Sequence, residues 1–256
     1  MLTSVRSLTA ATLLASSAFA AAPAFAQDEA LGSTAGVTVS ANVAVVTDYR
    51  FRGVSLSGGD AAIQGGIDLK HDSGFYAGTW GSSIQGGTAY GDMELDLYAG
   101  WTGNVSEAVT VDVGLLYYLY PSGDDAAFPG VDTDYFEPYA SIATTIGPVG
   151  ATAGVAYAWD QAGLGGNDNL YLYTDFTLGV PTTPVTVNAH LGYTDGVLAP
   201  PFLTGTADDT GLDWSLGATA TVWNGLSVGV SYVGVDGPSV DGFTDDTVVG
   251  TLSFAI

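Results

Sequence analysis

From residue 37 onward, apolar and polar residues alternate along the chain. A period of two is the spacing of a strand whose two faces meet different surroundings. Segments rich in Val, Thr, Tyr and Leu predict strands at 37–52, 61–70, 74–84, 92–102, 109–120, 133–146, 151–159, 169–180, 185–193, 211–223, 226–235 and 247–256. Many have the ~9–11 residues that a tilted strand needs to cross a bilayer. No stretch after Gly36 keeps a helical period.

The connections sort by length. Those after even-numbered segments are short: His71–Ser73, Gly103–Ala108, Gly147–Gly150, Pro181–Pro184 and Asn224–Gly225. The last is the Asn-Gly pair favoured in two-residue hairpins. Those after odd-numbered segments are mostly longer, as in 121–132, 194–210 and 236–246. A soluble sandwich has no reason to alternate its loops in this way. A transmembrane barrel does, with short turns at one end and long loops at the other.

The two faces differ as well. Within 92–102, Met93, Leu95, Leu97, Ala99 and Trp101 alternate with Glu94, Asp96, Tyr98 and Gly100. Within 185–193, Val185, Val187, Ala189, Leu191 and Tyr193 alternate with Thr186, Asn188, His190 and Gly192. Trp101, Trp159 and Trp214 fall near segment ends on the apolar parity, where an interfacial aromatic girdle belongs. The fold class expected is therefore all-β: a transmembrane antiparallel β-barrel of about twelve strands, with short periplasmic turns and longer acidic outer loops. The same apolar parity would also suit the core of a soluble barrel.

Composition narrows the function. The 256 residues include 36 Gly and no Cys, and 27 Asp and Glu face 4 Lys and Arg, for a net charge of −23. So few cations argue against nucleic acid, because phosphates need neutralising. Without Cys there is no disulfide framework or thiolate metal site, and two His leave no all-His zinc site. No cofactor or metal is expected.

The N-terminus reads as an address. Residues 1–26 hold one basic residue, Arg6, an Ala/Leu-rich stretch and the small-x-small sites Ala18-Phe19-Ala20 and Ala24-Phe25-Ala26. That is the layout of a cleaved signal peptide. Residues 27–36 would form a short periplasmic segment, and 37–256 the barrel. Export, lipid-facing strands and insertion by the barrel-assembly machinery would place the chain in the outer membrane of a Gram-negative bacterium.

The stretch Thr47-Asp48-Tyr49-Arg50-Phe51-Arg52-Gly53-Val54-Ser55 resembles the opening of the TorF-family porins, exported bacterial proteins first catalogued as a conserved hypothetical family. Further matches are Ala62-Ile63-Gln64-Gly65-Gly66-Ile67-Asp68 and Gly74-Phe75-Tyr76-Ala77-Gly78-Thr79-Trp80-Gly81-Ser82, so the resemblance covers most of 43–83. It implies an outer-membrane barrel with a porin-like role. The chain departs from the usual terminal aromatic, ending Phe254-Ala255-Ile256.

Following the apolar parity outward places a set of charges inside. The candidate pore-lining residues are Asp48, Arg50, Arg52, Asp68, Lys70, Glu94, Asp96, Asp112, Glu137, Asp175, His190 and Asp213. The bases come from the first two segments, so a basic patch would face an acidic wall. Such an arrangement sorts ions; the alternative is a set of salt bridges that fills the lumen. Arg50 and Arg52 share one face of 37–52, which turns Tyr49 and Phe51 toward lipid. Inward glycines such as Gly100, Gly114, Gly154 and Gly192 would leave room for water, and Tyr98, Tyr118, Tyr139, Tyr171 and Tyr173 would take some of it back. Twelve strands lie between a filled eight-stranded interior and an open ~16-stranded channel.

The function expected is a porin-like channel for ions or small solutes that prefers cations, because acidic outer loops concentrate them. Paired loop carboxylates could also hold calcium, though without EF-hand spacing. Two other classes stay open. One is an outer-membrane lipid-modifying enzyme using His190 with Ser141, Ser215 or Ser231. The other is a plugged structural barrel.

Overall fold

The computed structural model describes residues 32–123 and 133–256. The signal peptide expected at 1–26, the start of the 27–36 segment, and Asp124, Asp125 and Asp132 lie outside the described residues.

The chain runs β1 (Gly32–Thr34), β2 (Val37–Val46), β3 (Arg50–Phe51), β4 (Val54–Ser55), β5 (Ala62–His71), β6 (Phe75–Ser83), β7 (Met93–Asn104) and β8 (Val109–Leu119). It continues through β9 (Tyr135–Ile146), β10 (Val149–Gln161), β11 (Asn167–Gly179), β12 (Val185–Gly196), β13 (Thr210–Trp223), β14 (Leu226–Val235) and β15 (Thr247–Ala255). From β5 to β15 each strand pairs antiparallel with the next. β15 then pairs with β2 through Asn42–Val46, and β2 pairs with β5 along its whole length. The sheet thus closes into a twelve-stranded antiparallel barrel, which leaves no open edge. β1 pairs with Val37–Val39 beyond the reach of β15, so residues 32–34 extend the sheet at the seam. The backbones of Ile256 and Ala41 bond to each other at 2.8 and 2.9 Å, which completes the last strand.

Loop length separates the two ends. At one end β9 and β10 join through Gly147 and Pro148, and β13 and β14 through Asn224 and Gly225. Gly147 and Gly225 take φ of 63° and 69°, the left-handed values that two-residue hairpin turns require. The other end carries the connections 47–61, 84–92, 120–134, 162–166, 197–209 and 236–246. Among the described residues, three of these hold single helical turns: α1 (Gly87–Tyr90), α2 (Pro200–Leu203) and a 3-10 turn at Ala162–Leu164.

Outward positions are apolar and exposed on strand after strand, among them Val43, Ile67, Leu97, Leu115, Leu191 and Leu216. Aromatics rim both ends. Trp101 stands at the short-turn end with its Nε1 donating to the Ser73 carbonyl at 3.0 Å. At the long-loop end Tyr117 stacks on Phe136 at 4.1 Å between centroids, and Phe136 on Trp159 at 6.2 Å.

The first predicted strand needs correction. It leaves the wall at Thr47 rather than running to 52. Residues 48–57 fold into the barrel instead, with β3 and β4 forming a separate two-stranded hairpin. Tyr49 and Phe51 do not face lipid. Tyr49 is buried against Trp80, with ring centroids 5.5 Å apart, and Phe51 packs on Tyr118 at 5.8 Å. By turning inward, the segment lets Arg52 reach the buried carboxylate of Glu137 while Arg50 pairs with Asp48 and with Asp245 of the loop 236–246.

Candidate functional site in the barrel interior

Glycine and tyrosine together shape the inner wall. A Cβ built at Gly78 would overlap the Tyr98 ring, at Gly100 the Tyr76 ring, and at Gly114 the Tyr139 ring. The Tyr173 ring covers Gly154 and the Tyr171 ring covers Gly192 in the same way. These five glycines therefore do not hold space for water. They let large rings lie flat on the neighbouring strand, which fills the barrel without bulging its wall. Gly154→Val should force Tyr173 off the wall and hinder folding; Gly179→Ala, where a Cβ meets nothing, should not. The fraction folded on refolding into detergent micelles checks this pair.

Those rings carry hydroxyls to the acids. Tyr98 donates to Asp68. Tyr76 donates to Asp112 at 2.6 Å and meets the Tyr139 hydroxyl at 2.5 Å. Tyr49 and Tyr120 donate to the two oxygens of Glu94 at 2.6 and 3.3 Å. Burial, with Glu94 alongside, pushes the Tyr49 hydroxyl well above its ordinary value, so it remains a donor. Tyr118 reaches Glu137 at 3.2 Å. A hydroxyl donor offsets part of the cost of burying each carboxylate.

Two of the bases, Arg50 and Arg52, sit in the infolded hairpin. Arg50 donates from Nε to Asp48 at 2.5 Å and from Nη2 to Asp245 at 3.2 Å, and its Nη1 bonds the Asp245 carbonyl at 2.9 Å. Asp48 also accepts from Ser55 at 2.6 Å and Ser57 at 3.0 Å. Arg52 forms the hairpin tip with φ 47°, followed by Gly53 at 77°. A non-glycine residue there costs about 1–2 kcal/mol. In return, its Nη2 meets both oxygens of Glu137 at 2.8 and 2.7 Å. Its guanidinium lies 4.1 Å from the Tyr171 ring centroid and 4.7 Å from that of Phe51.

Next to Tyr171, His190 bonds Asp175 through Nδ1 at 2.7 Å and Asp213 through Nε2 at 2.9 Å. Tyr171 adds contacts to His190 and Asp213 at 2.8 and 3.2 Å. Both imidazole nitrogens are thus engaged by carboxylates, an arrangement that leaves neither set to activate a serine. Asp96 is buried on the same inner face as Glu94. Lys70 lines a cleft of about 370 Å³ at the short-turn end with Thr38, His71, Trp101 and Thr102. No group of three His, Asp or Glu among the described residues is placed to hold a metal ion.

All twelve candidate residues lie on the inner face or the hairpin, but they do not form one basic patch opposite one acidic wall. Arg50 binds loop 236–246, Arg52 bridges to β9, and Lys70 sits at the far end. Period-two parity did not reach Tyr49, Tyr76, Tyr120, Ser55 and Ser57 as partners in the network. The signal that could have found the turn is Gly53 interrupting the alternation between Arg50-Phe51-Arg52 and Val54-Ser55, followed by Gly58-Gly59.

The barrel resembles solved outer-membrane structures at low identity. The NanC porin aligns with TM-score 0.56 and 9% identity over 84% of this chain and 98% of that one. The KdgM porin aligns with TM-score 0.54 and 7% identity over 84% and 97%. An outer membrane channel from Pseudomonas putida F1 aligns with TM-score 0.51 and 13% identity over 88% and 96%. No curated protein matches the sequence. The resemblance at 43–83 points to the TorF family, and that name is not supported by the family model that does match. That model covers residues 30–253 and is described as a bacterial protein of unknown function, Gcw_chp, and the chain belongs to that family.

Proposed function

We propose that this chain is an outer-membrane barrel that conducts ions or small solutes and prefers cations. The observation that carries the reading is its inverted polarity. Large apolar side chains are exposed around the outer wall, while carboxylates line the inner one. A water-soluble protein rarely leaves so continuous an apolar surface uncovered, whereas lipid covers it without penalty. No helix among the described residues is long and apolar enough to cross a membrane, and a barrel crosses with strands. The barrel fold shared with NanC and KdgM fits this placement.

The preference follows from charge. Eight acids occupy the candidate interior set against Arg50, Arg52 and Lys70. One KdgM structure holds a disordered oligogalacturonate. A polyanion of that kind would meet net negative charge here, so small cations suit this interior better. The lipid-modifying alternative relies on His190, whose two imidazole nitrogens are both bonded to carboxylates, Asp175 and Asp213. Export through a signal peptide at 1–26 and insertion by the barrel-assembly machinery complete the reading.

Expression in a Gram-negative host should leave the protein in the outer-membrane fraction without residues 1–26, and the purified protein should add conductance to planar bilayers. Recovery as a soluble periplasmic protein after osmotic shock would refute the placement.

A further inference from the structure

We propose that residues 48–57 form an internal gate, a hairpin latched across the lumen by Arg52 and Glu137 that must swing aside for solutes to pass. The inference rests on the channel reading above. The wall closes without this segment, because β2 pairs with both β15 and β5 before the chain turns inward. The hairpin is its own two-stranded sheet. Among the described residues its backbone meets the surroundings at Ser55 N to the Phe243 carbonyl, 2.8 Å, and at Gln85 N to the Leu56 carbonyl, 2.7 Å. The remaining ties are side-chain contacts, among them Arg50 to Asp245 and the Phe243 carbonyl, Arg52 to Glu137 and the Tyr171 ring, and Tyr49 to Glu94 and Trp80. A segment held this way can leave as a unit without breaking a wall ladder.

Its position is obstructive. Arg52 is 1% exposed, as are Glu137 and Tyr118 on facing strands, and Asp213 on the opposite side is 2% exposed. Solvent is therefore excluded at this level on both sides of the hairpin. Toward the short-turn end the inward residues Thr110, Asp112, Thr186 and Asn188 are only partly buried. The interior is thus wetter below the hairpin and sealed beside it. The left-handed backbone at Arg52 adds strain that release would relieve.

Single-channel recording tests this with two variants. In the first, Gly-Gly replaces residues 49–56. Asp48 and Ser57 are already in contact, with Ser57 Oγ donating to Asp48 at 3.0 Å, so the shortcut needs no wall movement. The second is Arg52→Ala. Heat-modifiable migration on gels confirms that each barrel has folded. The deletion should stay at a high conductance level, the wild type should visit that level in brief openings, and Arg52→Ala should spend severalfold more time there. If the folded wild type conducts as steadily and as strongly as the deletion, or never reaches its level, the hairpin is not a gate. If the folded deletion passes no current at all, the channel reading itself fails.

Discussion

Glu137→Ala should cost about 3–5 kcal/mol of folding stability, the toll of removing one partner from a buried ion pair. Arg52 and Glu137 are each 1% exposed, and the two short contacts at 2.7 and 2.8 Å are the direct hydrogen bonds between them. Without the carboxylate, the guanidinium keeps its place over Tyr171 and Phe51 but loses its counter-charge. Removing both charges should hurt less than removing one, because an apolar pair of similar volume restores packing without stranding an ion. Arg52→Met with Glu137→Leu should therefore be more stable than Glu137→Ala. Urea titration of the protein refolded into micelles gives the comparison. Equal midpoints for the wild type and Glu137→Ala would show that the pair contributes nothing to holding the hairpin.

Leu216→Arg should also harm assembly, for a different reason. Leu216 lies mid-way along β13, pairs with Ala189 and Tyr232, and is 60% exposed on the outer wall. Facing lipid near the bilayer midplane, an arginine costs ~2–4 kcal/mol. The same change at Trp223, at the short-turn end of the same strand, should cost much less, since the penalty fades toward the interface. Equal tolerance at the two positions, read as yield in the membrane fraction, would mean that this wall does not face hydrocarbon.

Most of the barrel is legible in the sequence because the wall obeys one rule. Along β7, Met93, Leu97 and Ala99 face out while Glu94, Asp96 and Tyr98 are buried, as alternation requires. The Asn224-Gly225 turn is read from its two residues alone. The alternation fails where the chain stops being wall. Tyr49, Arg50, Phe51 and Arg52 keep a strand-like pattern, yet both parities end inside. That outcome depends on Glu137 and Asp245, far along the chain, offering charge to the two arginines. The glycines mislead for a related reason. A missing side chain reads as space, and only the cross-strand register shows that Tyr98 lies over Gly78 and Tyr173 over Gly154.

The most direct test of the account is the reversal potential of the protein in a planar bilayer under a dilute KCl gradient. Carboxylates in a narrow interior are screened less than those on loops, so selectivity should persist as salt rises. A cation-selective potential is expected, and a larger one for Arg50→Ala with Arg52→Ala, since both guanidinium groups keep their charge at any working pH. An anion-selective potential, or a double variant that shifts toward anions, would contradict it.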